Sequence, residues 1–157
     1  MKEKRKILQQ KIYNEDGKLQ CVVIPNYTKT DYFMSKSEIT FYKLLILIVK
    51  ELKEKNNIDL KVFPQVAVNR IIRQNNQRES ELEKDIFARS IDFVLYDQQN
   101  DEIFCCIELD GIDHKTDENK IKRDKILDNA FKGIYKLIRI NVEQYYDIDN
   151  IIDKILN

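Results

Sequence analysis

Two short apolar runs, residues 90–96 (SIDFVLY) and 103–109 (IFCCIEL), flank a polar Gln98–Gln99–Asn100–Asp101 stretch, the pattern of a β-hairpin. A period of two puts Asp92, Val94 and Tyr96 on one face of the first run. Phe104, Cys106, Glu108 and Asp110 share a face of the second. With Tyr96 paired to Phe104, an antiparallel register sets Asp92 opposite Glu108. Upstream, Ser35-Lys36-Ser37-Glu38 has the spacing of a capping box. It opens a helix running to about Lys55, with Phe41, Leu45, Ile48 and Leu52 as its apolar stripe. A strand over 60–66 (LKVFPQV) follows, and Pro64 assigns it to a sheet edge or a bulge. Residues 67–89 are polar and at most partly helical. Asp117 can cap a second long helix over 118–132, ended near Gly133. A fourth strand over 135–140 (YKLIRI) and a last helix over 147–156 complete the order α-β-β-β-α-β-α. This order predicts an α/β domain over 35–157, with a central mixed four-stranded sheet flanked by helices. Residues 1–34 read as an N-terminal extension, strand-like only at 21–24 (CVVI).

Composition narrows the class without choosing a partner. The 157 residues suit one domain with a real core. With 34% charged residues, three Gly and two Pro, the chain reads as soluble and well structured. Lys and Arg number 27 against 27 acids, so bulk charge neither requires nor excludes nucleic acid. Cys21, Cys105 and Cys106 have no C-x-x-C spacing, and the adjacent pair should face opposite sides of a strand as core residues. No apolar run approaches the length of a membrane span, and the basic N-terminus lacks the apolar segment of a secretory signal. The expected compartment is the cytoplasm.

The candidate chemistry lies in acids embedded among apolar residues. Glu108 follows five of them (IFCCI), and Asp92 sits between Ile91 and Phe93. Acids at strand ends are commonly solvated flanks, but burying these unpaired would cost several kcal/mol, so each needs a partner. Clustered like charges call for a cation or protons, and the all-oxygen set Asp92, Glu108 and Asp110 suits Mg²⁺ or Mn²⁺. Both long helices also turn charged where their apolar stripes reach the N-terminus. Glu38 continues the first stripe; Lys120 and Arg123 continue the second, through Leu127 and Phe131. Glu38 is equally explained by its capping role. The alternative is that these ends converge on the carboxylates.

Taken together, an acid on the first helix (Glu38), Phe63-Pro64-Gln65-Val66, Asp92-Phe93-Val94-Leu95 and Ile107-Glu108-Leu109-Asp110-Gly111 through His114 form an ordered series. With Arg123-Asp124 on the next helix, the series resembles the PD-(D/E)XK restriction-endonuclease-like superfamily. Within it, the series is closest to an uncharacterised bacterial domain family with FPQV, DFVL and IELDGxxH motifs, related to the very-short-patch-repair nucleases. The resemblance spans about residues 35–145 and implies a restriction-endonuclease-like αβββαβ core that cleaves phosphodiesters, most often in DNA, with Mg²⁺ or Mn²⁺. It implies Asp92 and Glu108 as metal ligands; the metal polarises the scissile phosphate and lowers the pKa of the attacking water. Glu38 is implied as an outer ligand or a ligand of a second ion. One departure stands out. The family's Glu-x-Lys ends here in Asp110, so either Asp110 is a further metal-side ligand or the catalytic cation has been rearranged or lost. Lys120 and Arg123 are the candidates for a migrated cation. His114, in its D-G-x-x-H setting, is implied as a general acid or a phosphate contact.

Arg70, Arg73 and Arg78 are candidates for phosphate contacts, though the interleaved Glu79, Glu81 and Glu83 favour a solvated loop there; Lys120, Lys122, Arg123 and Lys125 form a second basic group beside the site, with Gln65 and His114 as further candidates. Gln65 could equally satisfy a bulge beside Pro64, and Asp124 could orient Arg123 or form a surface ion pair. Two other functions stay open: a catalytically inactive nucleic-acid-binding module on the same fold, and an interaction domain. A homodimer, or a place in a larger defence or repair complex, also stays open.

Overall fold

The computed structural model describes residues 8–13, 19–24, 30–73, 86–111 and 118–157. The chain divides into two units, Met1–Phe33 and Met34–Asn157. In the first, β1 (Leu8–Tyr13) pairs antiparallel with β2 (Leu19–Ile24), from Leu8 against Ile24 to Tyr13 against Leu19. The apolar CVVI run lies in β2, whereas the pattern of LQQKIY had not marked β1 as a strand.

In the second unit, α1 (Lys36–Asn56) starts at a complete capping box. The Ser35 hydroxyl accepts from the Glu38 backbone N–H at 3.3 Å, and Glu38 Oε2 accepts from the Ser35 N–H at 2.6 Å. The helix stops where Asn57 turns left-handed at φ 58°. Then come β3 (Leu60–Ala67), the single turn α2 (Val68–Ile71), β4 (Ser90–Asp97) and β5 (Glu102–Asp110). After these, α3 (Glu118–Phe131) leads to β6 (Leu137–Asn141) and α4 (Ile148–Leu156). The sheet order is β3-β4-β5-β6. The first two pairings are antiparallel and β5–β6 is parallel, joined through α3. The result is the expected mixed four-stranded sheet between helices. Pro64 lies on β3, an edge strand, where a missing N–H costs no ladder bond.

Side chains alternate through the sheet into two cores. Phe41, Leu45, Ile48 and Leu52 of α1, with Ile151 and Ile155 of α4, pack on Phe93, Leu95, Cys105 and Ile107. Leu127 and Phe131 of α3 pack on Val94 and Cys106 across the other face. Cys105 and Cys106 therefore face opposite cores, and burial pushes both thiols up to about 12. Each fully buried Phe or Leu side chain contributes about 1.5–3 kcal/mol by burial. The β4–β5 turn is held by Asp97, whose carboxylate accepts from the N–H of Gln99 (2.8 Å) and the Nδ2 of Asn100 (2.7 Å). Among the described residues, no helix is long and apolar enough to cross a membrane.

Register decides where the acids fall. Phe93 pairs with Ile107, Val94 with Cys106 and Leu95 with Cys105, so the ladder continued by one step sets Asp92 opposite Glu108. A shift between Leu95 and Tyr96 pairs Tyr96 with Ile103 rather than Phe104. Because that irregularity lies on the turn side of Leu95, the carboxylate end keeps the expected register.

Candidate functional site

Asp92 and Glu108 are latched to each other's strands. The Asp92 N–H donates to Glu108 Oε1 at 3.3 Å, and the Leu109 N–H donates to Asp92 Oδ2 at 2.8 Å. From β3, Gln65 stands level with Asp92, between the pairs Pro64–Phe93 and Val66–Ile91. Its side-chain amide favours the charged form of Asp92. Gln65 has a left-handed backbone, φ 54°, which costs a non-glycine residue about 1–3 kcal/mol. Strain of this kind persists where the surroundings impose it, and here it falls beside Asp92.

One cleft of about 300 Å³ collects these groups. Its walls include Glu38 from the start of α1, Asp92, Glu108 and Asp110 from the sheet, Asp124 from α3, and Arg89 just before β4. The capping box gives Glu38 a fixed position at the cleft mouth, so its capping and site roles coincide. Burial raises the Asp92 pKa above its ordinary value, and the charges of Glu38 and Asp110 add to that; the Leu109 N–H and Gln65 oppose it. Burial and the neighbouring Asp92 push Glu108 up to about 8, against the opposing pull of Arg139. Burial and mutual repulsion thus favour a proton on the pair, or a cation in its place.

The cation beside the pair comes from the fourth strand. In the parallel ladder Arg139 is the partner of Glu108. Its Nη1 donates to Asp110 Oδ1 at 3.2 Å and its Nε to Asp128 Oδ1 at 3.0 Å, while Nη2 lies 3.6 Å from Asp124 Oδ1. Sequence reasoning missed Arg139, which reads as an outward strand residue between Ile138 and Ile140. The available signal was the spacing of Asp124 and Asp128, one helical turn apart on α3. Arg89 was also missed, three positions before Asp92.

The other expected residues fall differently. Arg123 lines neither this cleft nor a neighbouring one of about 250 Å³ lined by Asp110, Asp124, Lys125, Asp128 and Arg139. Its Nε is buried without a hydrogen-bond partner among the described residues. Among the described residues, Arg139 engages Asp110, Asp124 and Asp128, and Arg89 lines the cleft itself. Lys120 lies on α3, but its side chain is outside the described residues, as are His114, Arg78 and Asp117. Arg70 and Arg73 are exposed and line a separate polar hollow with Asn69.

The donor set suits a hard divalent cation. Every acid in the cleft offers carboxylate oxygen, and a cation bound at the Asp92–Glu108 pair would take the place of the proton that Glu108 retains. Among the described residues, no three His, Cys, Asp or Glu side chains are gathered ready to hold a metal ion. Mg²⁺ does not require such a cage; it commonly uses one or two carboxylates and keeps its waters.

Residues 30–157 match the family described as Protein of unknown function (DUF2726). The chain belongs to that family. The match takes in every described cleft residue, from Ser35 to Val142, and leaves the β1–β2 hairpin outside it. Neither the curated proteins nor the solved structures hold a significant match.

Proposed function

We propose that this DUF2726 protein is a Mg²⁺- or Mn²⁺-dependent nuclease on a restriction-endonuclease-like framework, hydrolysing phosphodiester bonds, with DNA as the expected substrate. Repair, defence against foreign DNA and mobile-element processing are the fitting settings. The observation that carries the reading is the facing pair Asp92–Glu108, half-buried at the end of a mixed sheet and opening into a cleft with Glu38. The element order around the pair supports it as well.

Asp92 and Glu108 would hold the ion. Bound there, it would supply Lewis-acid polarisation of a phosphoryl oxygen. Glu108 must give up the proton that its raised pKa retains near neutrality. The Leu109 N–H holds the Asp92 carboxylate in place, and the Gln65 amide favours its charged form. Arg89, on the cleft wall, is placed to meet a phosphate.

The test is cleavage of supercoiled, linear and single-stranded DNA and of RNA, with Mg²⁺ or Mn²⁺ and a chelator control, beside Glu108→Ala. Cutting that needs the metal and disappears in the variant supports the nuclease. One observation favours a second reading, a non-catalytic nucleic-acid-binding module: Asp110 stands where a lysine is expected, and Arg139 is engaged by three aspartates. DNA retention that weakens with salt, without cutting in either metal, would select that module.

A further inference from the structure

Five acids line the cleft, yet no three of the described residues are gathered around a metal position. Arg139 engages part of this acidic set. Its guanidinium is in contact with Asp110 on β5 and with Asp124 and Asp128 on α3, at 3.2, 3.6 and 3.0 Å. Two of these, Asp110 and Asp124, also line the cleft. The Arg139 side chain is only 23% exposed, and its Nη2 is buried, near carboxylate oxygens but without a well-directed hydrogen bond. That end is therefore held by charge more than by directed bonding. A guanidinium is always protonated, so this positive charge is permanent, whatever the metal supply.

We infer that Arg139 is a resident cation occupying the place a second metal ion would otherwise take, and that it limits the site to one ion. The inference rests on the metal-site reading above. Carboxylates at the end of a sheet facing acids on a helix are the raw material of a two-ion site, in which two ions clamp one phosphate. Among the described residues, one set, Asp92 and Glu108 with Glu38 nearby, has no side-chain cation bonded to it. The other set, Asp110, Asp124 and Asp128, is neutralised by Arg139 from the strand next door. Asp110 is thereby withdrawn from metal binding, and Arg139 is a positioning residue.

The experiment counts Mn²⁺ ions bound to the full chain by isothermal titration calorimetry and by electron paramagnetic resonance of free Mn²⁺. The wild type and Arg139→Lys are expected to bind one ion per chain, and Arg139→Gln two. One ion in a folded Arg139→Gln would overturn the inference while leaving the metal site standing. No ion in the wild type would overturn the metal site itself. Asp110→Asn keeps the idea testable if Arg139→Gln does not fold. Its Mn²⁺ affinity is expected within about threefold of wild type, because the lost charge was already paired. A loss beyond about tenfold, the scale seen for groups that support a metal, would put Asp110 around the ion and overturn the inference.

Discussion

Replacing Glu108 by Gln should stabilise the protein at neutral and alkaline pH while removing metal binding. The glutamine keeps the oxygen that accepts from the Asp92 N–H and removes the charge that burial and Asp92 oppose. In the folded wild type the Glu108 pKa stands at about 8, raised from 4.5. A raised pKa means that the native state holds a proton which the unfolded chain releases. Its contribution to stability is therefore fully present below the ordinary value and lost as pH rises through about 8. At about 1.4 kcal/mol per pKa unit, the wild type forfeits about 3 kcal/mol at neutrality and about 5 kcal/mol once Glu108 is fully ionised. The variant forfeits none of this. Urea denaturation in chelator should give nearly coincident curves near pH 5. The variant should pull ahead progressively up to about pH 9, with the urea slope unchanged. Adding Mn²⁺ should then restore the wild type, by about 2.7 kcal/mol at a hundredfold excess over the dissociation constant, and leave the variant where it was. A stability difference that stays constant with pH, or a variant that is the weaker protein at high pH, would refute the reasoning.

Three further outcomes follow from the same geometry. Glu38→Gln retains an acceptor for the Ser35 N–H, so its melting temperature should match wild type; Ser35→Ala should cost about 1 kcal/mol as a lost cap without altering metal affinity. Gln65→Gly should relieve the left-handed strain and raise stability by about 1 kcal/mol, yet slow metal-dependent cleavage by about tenfold as Asp92 loses its amide partner. A faster Gln65→Gly enzyme would contradict the role given to that strain. Cys105 and Cys106, buried and held as thiols, should resist labelling in the native state and react at the rate of global unfolding; rapid modification of either would contradict the packing of β5.

How much of this was legible in the sequence depended on whether a residue's neighbours were local. The capping box at Ser35 and the stripe Phe41, Leu45, Ile48, Leu52 are set by helical spacing alone, and both lie where the pattern put them. The facing of Asp92 and Glu108 followed from alternation and one hairpin, although the pairing assumed for it, Tyr96 with Phe104, is displaced by the shift after Leu95. Arg139 was not legible, because its significance depends on a parallel register with β5 and on α3 folding back over the sheet. Gln65 showed a possible reach toward the site but not its left-handed backbone, a conformation that sequence signals with Gly or Asn rather than Gln. Arg123 stands on the stripe of Leu127 and Phe131 that suggested a route to the carboxylates, and among the described residues the α3 side chain lining the cleft is the next position round, Asp124.

The central claim is that Asp92 and Glu108 together hold a divalent cation. Crystals soaked in Mn²⁺ and measured for anomalous scattering test it most directly. The account predicts an anomalous peak within bonding distance of both carboxylates in the wild type and no peak there in Glu108→Gln. A wild-type peak elsewhere on the molecule, or none at saturating Mn²⁺, would contradict it.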